Sequence, residues 1–294
     1  MPFWISLFET AVDALQTLIG AAMMLIAALI QQGTAQPHVT SASSTISLVS
    51  YGAEQNPSDL VARLRDPDPR TRTIAACDLQ RMGSAARTAI GALVERLPDA
   101  SPVDPQVCGE DRHYWSKDIE QLTSPGEEAA AALVAIGTES LPSLVSAARA
   151  PQWVARRNAV WALGALDDAR GVTPALGALD DREPPVRRVA AWALGALDSD
   201  VAVTALIAAL GDTDASVRSQ VAWALGAIRD RRAVDGLIKS LKDQDEAVRS
   251  QAAWALGAIG DRGASDGLAA ALKDPSPKVR RQAAWALGAI GRGR

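Results

Sequence analysis

The stretch Trp223-Ala-Leu-Gly-Ala-Ile228 decides the fold, because it recurs. The same phrase stands at Trp254 and Trp285, and with a final leucine at Trp161 and Trp192, each tryptophan following the last by 31 residues. A fixed period between about 20 and 50 residues marks an array of stacked units, none of which can bury its apolar face alone. Outward from Trp223, the segment Ala202–Leu210 carries Leu206, Ile207 and Leu210 at helical spacing, and Gly211-Asp212-Thr213-Asp214 interrupts it. Val217, Val221, Ala224, Leu225 and Ile228 then form a second apolar stripe. The unit is predicted to be two antiparallel helices. Nine residues before each tryptophan place stands an N-cap residue, Asp68 (counted from Cys77), Asp214, Asp245 or Ser276. Pro69, Pro184 and Pro277 occupy the first helical position, where a missing N–H costs nothing.

The recurring D-x-x-x-x-V-R-x-x-A-x-W-A-L-G-A-I pattern of Asp212–Ile228, Asp243–Ile259 and Asp274–Ile290 resembles the HEAT-like repeats of the phycobilisome-lyase type. Degenerate copies extend it backwards: Asp66–Cys77 fits with Cys77 at the tryptophan place, and Glu127–Gly137 with Ala131 there. The expectation is an all-α fold, an α-solenoid of about seven antiparallel helix pairs over residues 57–294, preceded by an apolar N-terminal helix and a flexible linker.

Apolar residues make up 48% of the chain but aromatics only 4%, so Ala, Leu, Val and Ile must do most of the packing, which suits closely stacked helices. A net charge of -4 and a pI near 5.3 offer phosphate backbones no overall attraction and argue against a nucleic-acid partner. Residues 1–35 read as a signal peptide or N-terminal anchor. Residues 3–30 are largely apolar, densest from Leu18 to Ile30, and Gly33-Thr34-Ala35 offers a cleavage site, although no Lys or Arg precedes it. An ordinary apolar helix is the third reading. Two of the three place the array outside the cytoplasm, periplasmic, secreted or membrane-anchored. Residues 36–56, rich in Ser and Thr, read as a tether.

Two polar ladders follow from the period: Asp66, Asp181, Asp212, Asp243 and Asp274 in the turn between helices, and Arg72, Arg156, Arg187, Arg218, Arg249 and Arg280 one turn into the second helix. Each Asp is expected to accept from its own or the neighbouring repeat's Arg and from turn amides, fixing the stacking angle. Gly164, Gly195, Gly226, Gly257 and Gly288 lie inside helices, where glycine costs about 1 kcal/mol relative to Ala, so the position calls for close backbone approach.

At 100° per residue Trp223 falls roughly 200° from the stripe that meets its own first helix. The resemblance implies that this face looks into the concave surface of the array. Trp161, Trp192, Trp223, Trp254 and Trp285 would then form a binding row, flanked by Arg157, Arg188 and Arg281, with Gln220, Gln251 and Gln282 alongside. Helices pack about 8 to 10 Å apart, and a polyproline II chain repeats every ~9.3 Å. An extended protein or peptide segment along the groove, its backbone bonded by the glutamines, fits both periods. The competing reading has each indole filling the seam between repeats. The array also closes on a second helix with no distinct polar cap, which suggests a homodimer through the C-terminal repeat.

Residues 99–123 form an insertion between the helices of the second pair, and Ser124-Pro-Gly-Glu127 reads as a capping box that restarts the helix. Cys108 has only Cys77 to pair with, so a disulfide between them is expected if the protein is exported. A metal site from Cys108, Asp111 and His113 lacks ligand spacing and is set aside. Deoxyhypusine hydroxylase also uses HEAT-like repeats with His-Glu pairs, but this chain has only His38 and His113 and no such pair. The reading is a non-enzymatic interaction scaffold without a cofactor, the alternatives being a bilin-lyase-type enzyme or subunit and a self-assembling structural protein.

Overall fold

The computed structural model describes residues 56–109 and 122–292. The N-terminal segment of residues 3–30, the tether up to residue 55, and Asp111 and His113 of the insertion lie outside the described residues. Among those described, seven helix pairs follow one another: α1 (Pro57–Arg63) with α2 (Pro69–Met82), α3 (Ile90–Arg96) with α4 (Pro125–Ile136), α5 (Leu141–Ala147) with α6 (Trp153–Ala165), α7 (Val172–Ala178) with α8 (Pro184–Ala196), α9 (Val203–Ala209) with α10 (Ala215–Ile228), α11 (Val234–Ser240) with α12 (Glu246–Ile259), and α13 (Ser265–Ala271) with α14 (Pro277–Arg292). The chain is an α-solenoid, as its period requires. No single described helix is long and apolar enough to cross a membrane.

Every first helix has only seven residues, about two turns, which would be marginal in isolation. Its stability comes from packing on its own second helix. The second helices pack in turn on one another along the array. Leu206, Leu225, Leu237, Ala224 and Ala255 are among the fully buried side chains of one continuous core. The expected starts are present: Asp68, Asp214 and Asp245 accept from amides of the first turn, and Ser276 Oγ accepts from Lys278 and Val279 at 3.2 and 3.4 Å. Glu183, before Pro184, occupies the N-cap position without a side-chain bond.

The Arg ladder runs forward, from each repeat to the next. Arg156, Arg187, Arg218 and Arg249 donate two bonds each to Asp181, Asp212, Asp243 and Asp274, with Nε to Oδ2 distances of 2.6 to 2.8 Å. Nη1 of each donates to two carbonyls of its own turn, and the Asp accepts from the amide two residues on, as Asp212 does from Asp214 at 2.8 Å. Arg187 holds the Asp212 carboxyl below the usual carboxylate range, and Arg218 and Arg249 do the same for Asp243 and Asp274. At Asp181 burial is the largest influence and pushes upward, but the hydrogen bonds from Arg156 and the Glu183 amide, with the charges of Arg156 and Arg182, together outweigh it and hold the carboxyl below its usual range.

The insertion joins the ladder at its first residue. Arg72 donates to Asp99 at 2.7 Å, and Asp99 accepts from the amide of Ser101. Sequence reasoning had left Asp99 out because it lies 27 residues after its Arg rather than 25. Its signal was the Asp-x-Ser turn that matches Asp181-x-Glu183. In α4 the Arg place is Gly126, where a Cβ would meet the carbonyls of Leu97 and Asp99 at 2.6 and 2.8 Å. The insertion's backbone occupies the space that a side chain has elsewhere. Val103 and Thr123 then pair across its neck, and a 3-10 turn (Pro105–Cys108) packs on α2. Cys77 and Cys108 lie there at disulfide-bonding distance, with Cα atoms 5.8 Å apart.

Candidate protein-binding face

The five tryptophans stand on successive second helices, and their exposure is graded. Trp161 is buried at 5%, Trp192, Trp223 and Trp254 are half-buried, and Trp285 is exposed at 43%. The expected row of five exposed indoles is therefore not present as such, because the rings lean into the seams. A Cβ built on Gly164, Gly195, Gly226 or Gly257 would lie 2.6 to 2.9 Å from Cζ3 of Trp192, Trp223, Trp254 or Trp285, respectively, and 2.7 or 2.8 Å from the Cα of the following alanine. Each glycine is thus the socket for the next repeat's indole and for its helix backbone. The helix-propensity cost of glycine is offset by this close approach. Trp161 is covered in addition by Trp192, stacked on it with centroids 6.2 Å apart and planes 14° from parallel.

The flanking residues divide in two. Arg157 belongs to the framework: it donates to Glu127 at 2.6 Å and to Asn158, and its guanidinium lies 5.8 Å from the Trp153 ring centroid. Glu127, read in the sequence as the far half of a capping box, is used for this ion pair, while Ser124 accepts from its amide at 3.3 Å. Asn158, which sits where later repeats have glutamine, donates to the Leu97 carbonyl at 2.9 Å and ties α6 to the root of the insertion. Arg188 and Arg281, by contrast, are exposed. Gln220, Gln251 and Gln282 are half-buried, and their amides make no hydrogen bond to another described residue. What the second-helix layer offers a ligand is therefore indole edges, free amides and two cations at the period of the array.

Residues 172–244 and 234–293 match the model of HEAT repeats. No curated protein sequence matches the chain. Among solved structures, the complex of CpcE and CpcF of phycocyanin lyase from Nostoc sp. PCC7120 is 20% identical and covers 86% of this chain and 100% of that one, with a TM-score of 0.44. Kap121p is 15% identical over 80% of this chain and 29% of its own length, with a TM-score of 0.61. Kap95p, solved bound to RanGDP, is 14% identical over 80% of this chain and 37% of its own, with a TM-score of 0.57. The chain spans about a third of the length of these two proteins.

Proposed function

We propose that this chain, a HEAT-like repeat protein, is a non-catalytic scaffold that holds an extended protein segment against its second-helix layer. Repeat arrays of this kind support protein–protein interaction through long surfaces built from one recurring patch. The observation that carries the finer reading is the recurrence of a free glutamine amide beside each partly exposed indole at Trp223, Trp254 and Trp285. An extended backbone leaves its N–H and C=O groups unpaired, and an amide side chain can donate to one and accept from the other. The indole edge supplies apolar contact for a proline ring or an aliphatic side chain. Arg188 and Arg281 favour a segment that carries some negative charge.

Export, or anchoring outside the cytoplasm, goes with this reading. It is supported by the apolar residues 3–30 and by the approach of Cys77 to Cys108, which suits a disulfide in an oxidising compartment. A bilin-lyase role has no observation that favours it over the scaffold.

The test is a screen of proline-rich extended peptides, read by tryptophan emission. The triple variant Gln220→Ala, Gln251→Ala, Gln282→Ala removes no internal hydrogen bond and should keep its helicity by circular dichroism. At about 1 kcal/mol for each lost bond, it should bind about a hundredfold more weakly. If no peptide perturbs the emission, or if the triple variant binds as well as the parent, the reading fails.

A further inference from the structure

Three side chains at the root of the insertion bring sulfur and carboxylate ligands to one point. Cys77 of α2, Cys108 at the end of the 3-10 turn and Glu128 of α4 are all buried, and one ligand atom from each lies within 4.8 Å of the others. The periodicity shows that Glu128 is out of the ordinary. The corresponding place, three residues before the tryptophan place, holds Ile74, Asn158, Val189, Gln220, Gln251 and Gln282 in the other pairs. The one acidic residue of the set stands beside the two sulfurs. A carboxylate that is 5% exposed costs free energy unless charge or hydrogen bonds compensate it. Thr123 Oγ1 donates to it at 2.7 Å.

We propose that, when the sulfurs are reduced, Cys77, Cys108 and Glu128 bind one zinc ion, so that metal and disulfide are alternative closures of the same joint. Two thiolates and a carboxylate form a donor set that zinc accepts, with water in the fourth position. Zinc bonds of about 2.3 Å to sulfur and about 2.0 Å to oxygen, at tetrahedral angles, put sulfur about 3.8 Å from sulfur and about 3.5 Å from oxygen. The three ligand atoms lie within 4.8 Å of one another, which is the scale these values require. Arg81, ion-paired with Asp78 at 2.6 Å, also donates to the Cys108 carbonyl at 2.6 Å and ties the end of the 3-10 turn to α2. Either closure pins the segment Pro105–Cys108 to α2.

Opening the disulfide takes two electrons, which a phosphine supplies. The S–S bond breaks, water gives its oxygen to the phosphine and its two protons to the sulfurs, and zinc then displaces those protons. The full chain, reduced with a phosphine under anaerobic conditions and freed of excess reagent, is titrated with Co2+ as a spectroscopic probe and then with Zn2+. One equivalent of Co2+ should give a thiolate-to-cobalt charge-transfer band with intense tetrahedral visible bands, and one equivalent of Zn2+ should erase both. Glu128→Gln keeps the shape and both sulfurs, should still re-form its disulfide in air, and should bind at least tenfold more weakly. Absence of the charge-transfer band, or equal affinity in Glu128→Gln, overturns the proposal. If Glu128→Gln does not fold, Cys108→Ala decides: loss of the band supports the site, and a surviving band refutes it.

Discussion

The two ends of the array solve one problem differently. From α6 to α14, successive pairs are joined by the same small set of contacts: an indole in a glycine socket, and an Arg that bridges to the next repeat's Asp. From α1 to α5 the tryptophan place holds Cys77 and then Ala131, the ladder breaks at Gly126, and the joints are particular. They comprise the approach of Cys77 to Cys108, the Thr123–Glu128 bond and the Asn158 amide on the Leu97 carbonyl. The regular half can be lengthened by copying, because each contact is made between identical neighbours. The irregular half accommodates an insertion and so needs contacts that occur once. A perturbation should therefore stay local and repeatable in the first region and be concentrated at one joint in the second.

The largest effect should come from the irregular end. Replacing both Cys77 and Cys108 by Ala removes a closed loop with a sequence separation of 31 residues. If the disulfide is formed, loop-closure entropy puts the loss at about 3.5 kcal/mol. Denaturant unfolding should show an early transition that reports the first two pairs, while the later pairs keep their midpoint. A single unchanged transition would mean that the joint carries no stability of its own.

In the regular half, Asp212→Ala leaves the Arg187 guanidinium largely buried and without its carboxylate, a loss of about 3 kcal/mol. The same change at Asp243 should cost about as much, and equal costs are the measurement that sharpens the comparison. The depressed carboxylate values give the pH dependence its sign. A folded pKa below the unfolded one, about 3.9, contributes stability that is complete above about pH 5 and is lost as pH falls through the folded values. The thermal midpoint of the parent should fall between pH 5 and pH 2. Asp212→Ala should show a shallower fall.

The glycine sockets give a paired test with opposite signs. Gly226→Ala drives a methyl into Trp254 and the Ala255 backbone at 2.6 and 2.8 Å, an overpacking penalty that should leave a net loss of about 2 kcal/mol. At Gly288 nothing lies within 4 Å, so the same substitution meets no neighbour and gains about 1 kcal/mol of helix propensity. Thermal melts of the two variants side by side would read this. Equal shifts would remove the socket as the reason for glycine.

The period, the helix pairs, the caps and the Arg ladder were legible because each is a local pattern repeated several times. Copying turns a weak signal into a strong one. The direction in which the tryptophans lean was not legible, since the helical angle of Trp223 places it on a face but does not say whether a neighbour's Gly195 lies beneath it. The place of Asp99 in the ladder was hidden by the insertion, which lengthens its spacing from Arg72, and the pairing of Arg157 with Glu127 was hidden because no other copy has an acidic residue at that place. Glu128 stood out in sequence only as the one acidic residue at its place in the repeat, and the nearness of two sulfurs, which gives that its meaning, follows from the fold.

The smallest effect tests how far copying has been refined. Four successive second helices end on a residue with positive φ: Asp167 at 52°, Asp198 at 47°, Arg229 at 58° and Gly260 at 73°. The left-handed conformation closes the last turn, as the Arg229 amide does by donating to the Leu225 carbonyl at 3.0 Å. Only the last copy has the residue that adopts it without a Cβ penalty. Arg229→Gly relieves about 1 kcal/mol of backbone strain, and the greater freedom of glycine in the unfolded chain takes back about half. The net should be a gain of about 0.5 kcal/mol, and Gly260→Ala should lose a similar amount. If Arg229→Gly is instead destabilising, the arginine side chain contributes more to its turn than its exposed position suggests, and the copies differ there for a reason other than drift.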